Sequence, residues 1–417
     1  MSISREHAIA LDASDPLAGL RERFVITDSE LIYLDGNSLG RLSLDTQARL
    51  HEVIDNEWGT SLIKGWDGWM DLPTRVGDLI GSTLLGAADG QVVVADSTTV
   101  NLYKLACAGI DARPGRRTVI TDDDNFPTDR YVLQGICARS GLELRTVHAD
   151  IDSGIGLGAI EESLSEEVAL VCLSHVAYRS GALADMAAIT AAVHKVGALM
   201  LWDLSHSAGS VPIELDSCEV DFAAGCSYKY LNGGPGAPAY SYVNASLHGS
   251  VRQPIWGWFG QTDQFAMGPD YLPAQGIDQQ LTGTTQVLQT AGLEASVALL
   301  AEAGIDRLRA KGQAMSQLLI DLADEWTEGL GTRLASPRDP ALRGSHVVFE
   351  HPFGWQVAQA MTAVGVIPDY RNPDRLRLGP APIYTRFVDV WDGMDQLHRI
   401  LENDTWKNFP THPRRVT

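Results

Sequence analysis

No run of apolar residues in this 417-residue sequence approaches the roughly 20 that a membrane-spanning helix needs. Its first 30 residues carry charges throughout, unlike a signal peptide. Cysteine is scarce: Cys107, Cys137, Cys172, Cys218 and Cys226 are odd in number, and no two form a C-x-x-C pair. A disulfide framework is therefore not expected, and free thiols in a reducing compartment are. The histidines lack the i, i+4 pairing with a glutamate that marks a zinc-binding helix, so no metal is expected. Positive charge is short as well, with 32 Lys and Arg against 53 Asp and Glu and a net charge of −21. Nucleic acid is thereby disfavoured as a partner, because binding its phosphates takes clustered Lys and Arg. The basic tail at Arg414 and Arg415 is too short to alter that balance. The phosphate-binding pattern G-x-x-x-x-G-K-[ST] is absent. The glycines of Gly154-Ile155-Gly156-Leu157-Gly158 follow a polar turn and lack the last glycine of a dinucleotide fingerprint. These absences leave a cytoplasmic protein with a small-molecule partner, away from membrane and nucleic acid.

What is present is an ordinary globular composition, 45% apolar and 20% charged. The length suggests about two to three domains. From residue 92 onward, short apolar runs alternate with helical patterns. Strands are expected at Val92–Val94, Thr118–Ile120, Leu142–Val147, Val168–Leu173 and Ala198–Trp202, with helices between them. Continuous apolar strands separated by helices predict an α/β fold with a mostly parallel sheet covered on both faces. Two further strands, Val220–Ala224 and Ala239–Val243, flank a glycine-rich turn. A long helical pattern runs from about Leu288 to Leu322. The remainder mixes strands and helices in a smaller α+β unit. The expected division is an N-terminal segment (1–50) packed with the small domain, a large domain (51–290) and a small C-terminal domain (291–417).

In open α/β sheets, ligands gather at the carboxyl ends of the strands. Ser97-Thr98-Thr99 follows the first strand and opens a helix, where free N–H groups suit either a phosphate or a simple N-cap. Asp203 ends the strand ALMLWD with His206 close behind, and reads either as a turn cap or as the partner of a protonated ring nitrogen. Phe126 and Asp129 lie just past the second strand, where they fit a flat ring or an ordinary Pro-led first helical turn. Only six lysines stand against twenty-six arginines. Lys195, Lys311 and Lys407 read as solvated, Lys104 as mid-helix and Lys64 as part of a tryptophan-rich loop. Lys229 alone combines a strand end, flanking tyrosines and a glycine-rich continuation. Such an amine can serve as a nucleophile toward an aldehyde. A phosphate cradle, an acid and an amine together are what pyridoxal 5′-phosphate needs.

The motifs YLDGNSLG (33–40), TTVNL (98–102), FPTD (126–129), WDLSHSAG (202–209), CSYKYLNGGPG (226–236), GWFG (257–260) and RLRLGPAPIY (375–384) resemble those of the kynureninases. These are pyridoxal-phosphate enzymes of the aspartate-aminotransferase fold (fold type I), and the resemblance runs over most of the chain. It implies that Lys229 bonds the cofactor aldehyde, Asp203 holds the ring nitrogen beside His206, and Phe126 stacks on the ring near Asp129. It places Thr98, Thr99 and Tyr228 at the phosphate, and Ser174 facing the same site. Trp258 and Thr284 would come from the neighbouring subunit of a homodimer. Arg377 would bind the substrate carboxylate, with Asn37 and Trp66 also on the substrate. The implied reaction is hydrolytic Cβ–Cγ cleavage of L-kynurenine or 3-hydroxykynurenine to the anthranilate and L-alanine, with Lys229 and Tyr228 moving protons. That reaction belongs to tryptophan catabolism or NAD biosynthesis. The chain departs from the family pattern at 64–69, at Gln261 and at 284–286, all regions of substrate or subunit contact. Other readings of the same cofactor site are a desulfurase-like lyase, an aminotransferase or a catalytically silent cofactor-binding protein.

Overall fold

The computed structural model describes residues 3–411; Arg414 and Arg415 lie outside them. Seven segments form one sheet: Val92–Val94 (β1), Thr118–Asp122 (β2), Glu143–Val147 (β3), Val168–Ser174 (β4), Leu199–Asp203 (β5), Phe222–Gly225 (β6) and Tyr240–Val243 (β7). Their order is β1-β7-β6-β5-β4-β2-β3. β7 runs antiparallel to both of its neighbours, and the other pairings are parallel. All residues of β1, β2, β5, β6 and β7 are buried, and β1 and most of β5 accordingly read as unbroken apolar runs. β3 stands at an edge, and its alternation of charged and half-buried residues keeps that edge from pairing further.

Helices Thr98–Asp111 (α1), Pro127–Ser140 (α2), Leu157–Ser163 (α3) and Met186–Lys195 (α4) connect the strands. Each of the longer ones starts on a local signal. Ser97 accepts from the Val100 N–H, Pro127 occupies the first turn of α2, and Asp185 accepts from the Ala188 N–H at 3.0 Å. The parallel register sets Ser174 opposite Asp203, and Asp203 opposite Ala224. The carboxyl ends of β4, β5 and β6 therefore lie side by side, near the start of α1.

The long helical pattern near residue 300 is two helices, not one. Val287–Ala303 (α5) and Ile305–Trp326 (α6) are separated by Gly304, whose φ of +78° and ψ of 129° no helix accommodates. α5 buries Leu293, Val297 and Leu300 in the core that covers the large sheet. α6 buries Met315, Leu319 and Leu322 in a second core. That core sits on a four-stranded antiparallel sheet made of Arg333–Leu334 (β8), Val347–Glu350 (β9), Asp369–Arg371 (β10) and Arg375–Leu378 (β11), in the order β10-β11-β9-β8. Gly354–Ala363 (α7) and Phe387–Glu402 (α8) cover it.

The N-terminal segment touches both halves. Asp12 accepts from the Phe387 and Val388 N–H groups at 2.6 and 2.9 Å, which satisfies the start of α8. Ile32–Tyr33 pairs in parallel with Val366–Ile367. Leu17 and Phe24, in contrast, belong to the larger core. Lys311 does not stand in solvent as its sequence neighbours suggest. It is buried and paired with Asp15 at 2.6 Å, so it ties α6 to the N-terminal segment.

The glycine between α5 and α6 gives a direct check on this architecture. A Cβ at position 304 meets no atom closer than the Arg307 guanidinium at 3.6 Å, so only the backbone conformation opposes a side chain. Gly304→Ala is expected to lower stability by roughly 1–3 kcal/mol in urea unfolding. Unchanged stability would mean that the chain does not turn there.

Candidate active site

A cavity of about 460 Å³ opens at the carboxyl edge of the large sheet. Its walls come from distant parts of the sequence that the topology gathers. The start of α1 supplies Ser97, Thr98 and Thr99, and the start of α2 supplies Phe126, Thr128 and Asp129. The turn after β5 gives Asp203 and Ser205, and the turn after β6 gives Tyr228 and Lys229. Gly236, Ala237 and Pro238 close one side, and Gln286 enters from just before α5.

Lys229 is buried, and its Nζ lies 3.2 Å from His206 Nε2 and 3.4 Å from His206 Nδ1. The same nitrogen stands 5.7 Å from the Phe126 ring centre and 5.9 Å from that of Tyr228. Burial, and then the Lys229 charge, push the His206 imidazole well below its ordinary value. The ring is therefore neutral and can accept a hydrogen bond from the amine without repelling it. Asn232, at φ +56°, and the glycines after it turn the chain back, and the Gly233 N–H closes the loop onto the Ser227 carbonyl at 2.9 Å.

Two carboxyl groups share this cavity. Asp203 is braced by the Ser205 N–H at 2.7 Å. Asp129 is buried, and no hydrogen-bond donor reaches either of its oxygens. Burial first, and then the Asp203 charge, hold the Asp129 carboxyl far above its ordinary range. Both Asp129 oxygens remain free to meet a polar group entering the cavity. A ring bearing a protonated nitrogen and a polar substituent would satisfy both acids. Thr98 and Thr99 present the unpaired N–H groups of the α1 first turn to a phosphate. The donor set fits pyridoxal 5′-phosphate. Among the described residues, no group of three or more His, Cys, Asp or Glu side chains is arranged to hold a metal ion.

Other sequence-derived candidates lie elsewhere. Ser174 is turned toward Asn125, donating to its Oδ1 at 2.7 Å, and lines a small separate cleft with Asp122 and Asp124. A serine at a strand end can face either of two neighbouring loops, and here the Asn125 amide claims it. Arg377 is buried and fully engaged. It donates to Asp369 through Nε at 2.6 Å and through Nη2, to the Tyr178 carbonyl at 2.6 Å and to Ser38 Oγ at 3.1 Å. Arg371 also donates to Asp369, at 2.8 Å, so one carboxylate holds two guanidinium groups. Burial and the Asp369 charge raise the nearby Asp35 carboxyl to about 7. Asn37 is buried without a hydrogen-bond partner and packs over Gly379, two residues beyond Arg377. Trp66 packs edge-on against Trp69 at 5.5 Å and near Phe259 at 6.0 Å. Neither Asn37 nor Trp66 lines the cavity. Trp258, 46% exposed, and the exposed Thr284 also stand off the cavity of their own chain.

Sequence reasoning passed over Asp96 and Ser205, both in the cavity wall, and His346, whose ring lies 5.7 Å from that of His206. An acid directly before Ser97-Thr98-Thr99 was a usable signal for Asp96. Nothing local marks His346, which reaches the site from the loop before β9.

Residues 308–397 match the family described as kynureninase C-terminal domain, and residues 82–344 match aminotransferase class-V. A kynureninase of Pseudomonas fluorescens is 43% identical over 411 residues, covering 97% of each chain. A kynureninase of Burkholderia pseudomallei (strain K96243) is 42% identical over 412 residues, again covering 97% of each. Among solved structures, the apo cysteine desulfurase of Thermococcus onnurineus NA1 superposes with a TM-score of 0.79 at 17% identity, over 92% of this chain and 98% of its own. C-DES with glycine covalently linked to its PLP cofactor gives 0.79 at 18% identity, over 89% and 97%. These distant likenesses show the fold alone, an α/β architecture around a mostly parallel sheet. The near-complete matches at 42–43% identity go further: the chain belongs to the kynureninase family.

Proposed function

We propose that this protein hydrolyses the Cβ–Cγ bond of L-kynurenine or 3-hydroxy-L-kynurenine, releasing L-alanine and the corresponding anthranilate, with pyridoxal 5′-phosphate as cofactor. The observation that carries this reading is the buried amine of Lys229 lining one cavity with the Asp129–Asp203 acid pair and the start of α1. When bound, the cofactor supplies an aldehyde for an amine and a ring that accepts electrons as the carbon–carbon bond breaks.

The protein residues have separate tasks. Thr98 and Thr99 would take the phosphate, Asp203 and Asp129 would hold the polar groups of the ring, and Phe126 would supply an aromatic contact. His206 keeps the Lys229 amine in place as a neutral acceptor. Lys229 moves a proton to and from substrate Cα. The neighbouring Cys226 sulfur, and then burial, push the Tyr228 phenol above its ordinary value, so it stays protonated and can deliver a proton to the departing carbon. Arg377 is the residue for the substrate carboxylate by virtue of its planar, bidentate donors. To bind it, the guanidinium must exchange part of its present contact with Asp369.

A homodimer completes the site in this reading, with Trp258 and Thr284 reaching the partner's cavity. The exposed Trp256, Trp258, Phe265 and Met267 support it, because an apolar patch of this kind favours burial against another surface. Trp66 would wall the aryl end. The protein is assigned to the cytoplasm, in tryptophan breakdown or the supply of NAD precursors, with 51–290 as the cofactor-binding domain and 1–50 joined to 291–417. Among the described residues, no helix is long and apolar enough to cross a membrane. A desulfurase reading is less well supported, since no cysteine lines the cavity.

Two outcomes test the reading. Incubating purified protein with each kynurenine should yield L-alanine and the fluorescent aryl amine in equal amounts. Loaded cofactor without either product would exclude the hydrolase, and product formation that requires a keto acid would point to transamination. Lys229→Ala should lose the visible absorbance of the loaded enzyme and reduce kcat by roughly 10²–10⁴-fold. An unaltered spectrum would show that another amine holds the cofactor.

A further inference from the structure

α1 carries a lysine where its apolar neighbours leave no place for a free charge. Lys104 lies in a stretch of the helix where Leu102, Leu105 and Ala106 are also buried, and its side chain is 0% exposed. An ammonium in such a place persists only when paired and hydrogen-bonded. Its Nζ donates to Asp96 Oδ2 at 2.8 Å and to the Gln280 carbonyl at 2.7 Å. Burial pulls this lysine below its ordinary value, and the Asp96 charge opposes that pull.

Asp96 is held from several directions. It lines the cavity directly before Ser97, the cap of α1, and adopts a φ of +56°, in the left-handed region that side-chain-bearing residues rarely visit. Its carboxylate also accepts from Thr282 Oγ1 at 3.1 and 3.2 Å. Its carbonyl accepts from the Ala239 N–H at 2.9 Å, and the preceding Ala95 N–H returns a bond to the Ala239 carbonyl at 3.0 Å. The turn at Asp96 sets the direction in which the first N–H groups of α1 point.

Charge adds a second constraint. The start of α1 attracts an anion through its free N–H groups and dipole. The Asp96 carboxylate beside it would repel the same anion. Lys104 does not line the cavity itself; it sits behind that carboxylate and offsets its charge.

We propose that Lys104 and Asp96 form a positioning pair that fixes the turn before α1 and neutralises its carboxylate, so that the cavity accepts a phosphate ester. The proposal rests on the reading of the Thr98–Thr99 end as the cofactor's phosphate cradle.

The apo protein is titrated with pyridoxal 5′-phosphate and, separately, with pyridoxal, which has the same ring and aldehyde but no phosphate. Lys104→Met should weaken binding of the phosphate ester by about tenfold or more and leave pyridoxal within about twofold, because the lost term is electrostatic and local. The double variant Lys104→Met/Asp96→Asn should regain about half or more of that loss on a logarithmic scale, since both charges are gone. Lys104→Gln keeps a donor for the Gln280 carbonyl, and carries the same expectation should Lys104→Met fail to fold. Equal weakening of both ligands, no weakening of the phosphate ester, or no recovery in the double variant would overturn the proposal. Failure of the unaltered protein to bind pyridoxal 5′-phosphate would instead overturn the cofactor reading.

Discussion

The buried amine of Lys229 facing two buried carboxyl groups is the interaction on which the rest of the site depends. An ammonium and two carboxylates out of water are stable only if their charges nearly cancel and their donors and acceptors are used. Here the balance is incomplete. His206 is neutral, Asp129 is pushed toward protonation, and both Asp129 oxygens lack a donor. A polar aromatic cofactor with a cationic ring nitrogen would complete it. The structure therefore reads as a receptor whose own polar groups are not satisfied without a ligand.

The sheet makes this arrangement possible. Parallel strands bring Ser174, Asp203 and Ala224 level, so residues from β5, β6 and the starts of α1 and α2 meet at one edge although 131 positions separate Thr98 from Lys229. The antiparallel sheet of the smaller core contributes from another direction, through Arg377 on β11 and its bond to the Tyr178 carbonyl. Asp369 holds Arg371 and Arg377 together within the smaller sheet, and it is the Arg377 bond to the Tyr178 carbonyl that links that sheet to the larger core.

Much of this was legible in the sequence because the physical signals were strong. Strands buried on both faces leave unbroken apolar runs, and those at 92–94, 168–174 and 199–203 stood close to where they were expected. The amine at Lys229 emerged from elimination because lysine is rare. The failures share a cause: long-range partners that no window of sequence reveals. Lys311 looked solvated until Asp15 was placed beside it, and Ser174 turned to Asn125 instead of the cavity. The long helical pattern is divided into two helices at Gly304, because apolar periodicity continues across a residue whose backbone does not. Lys104 was passed over as a mid-helix residue, although an ionisable group among Leu102, Leu105 and Ala106 needs a buried partner and so predicts one.

The central claim is that one particular lysine of six bonds the cofactor. Reduction of the loaded protein with borohydride fixes the cofactor on the amine it occupies, and peptide mass spectrometry then locates it. The account predicts a pyridoxyl group on the peptide containing Lys229 and on no other. The same label on Lys104, Lys311 or an exposed lysine, with Lys229 unmodified, would contradict it.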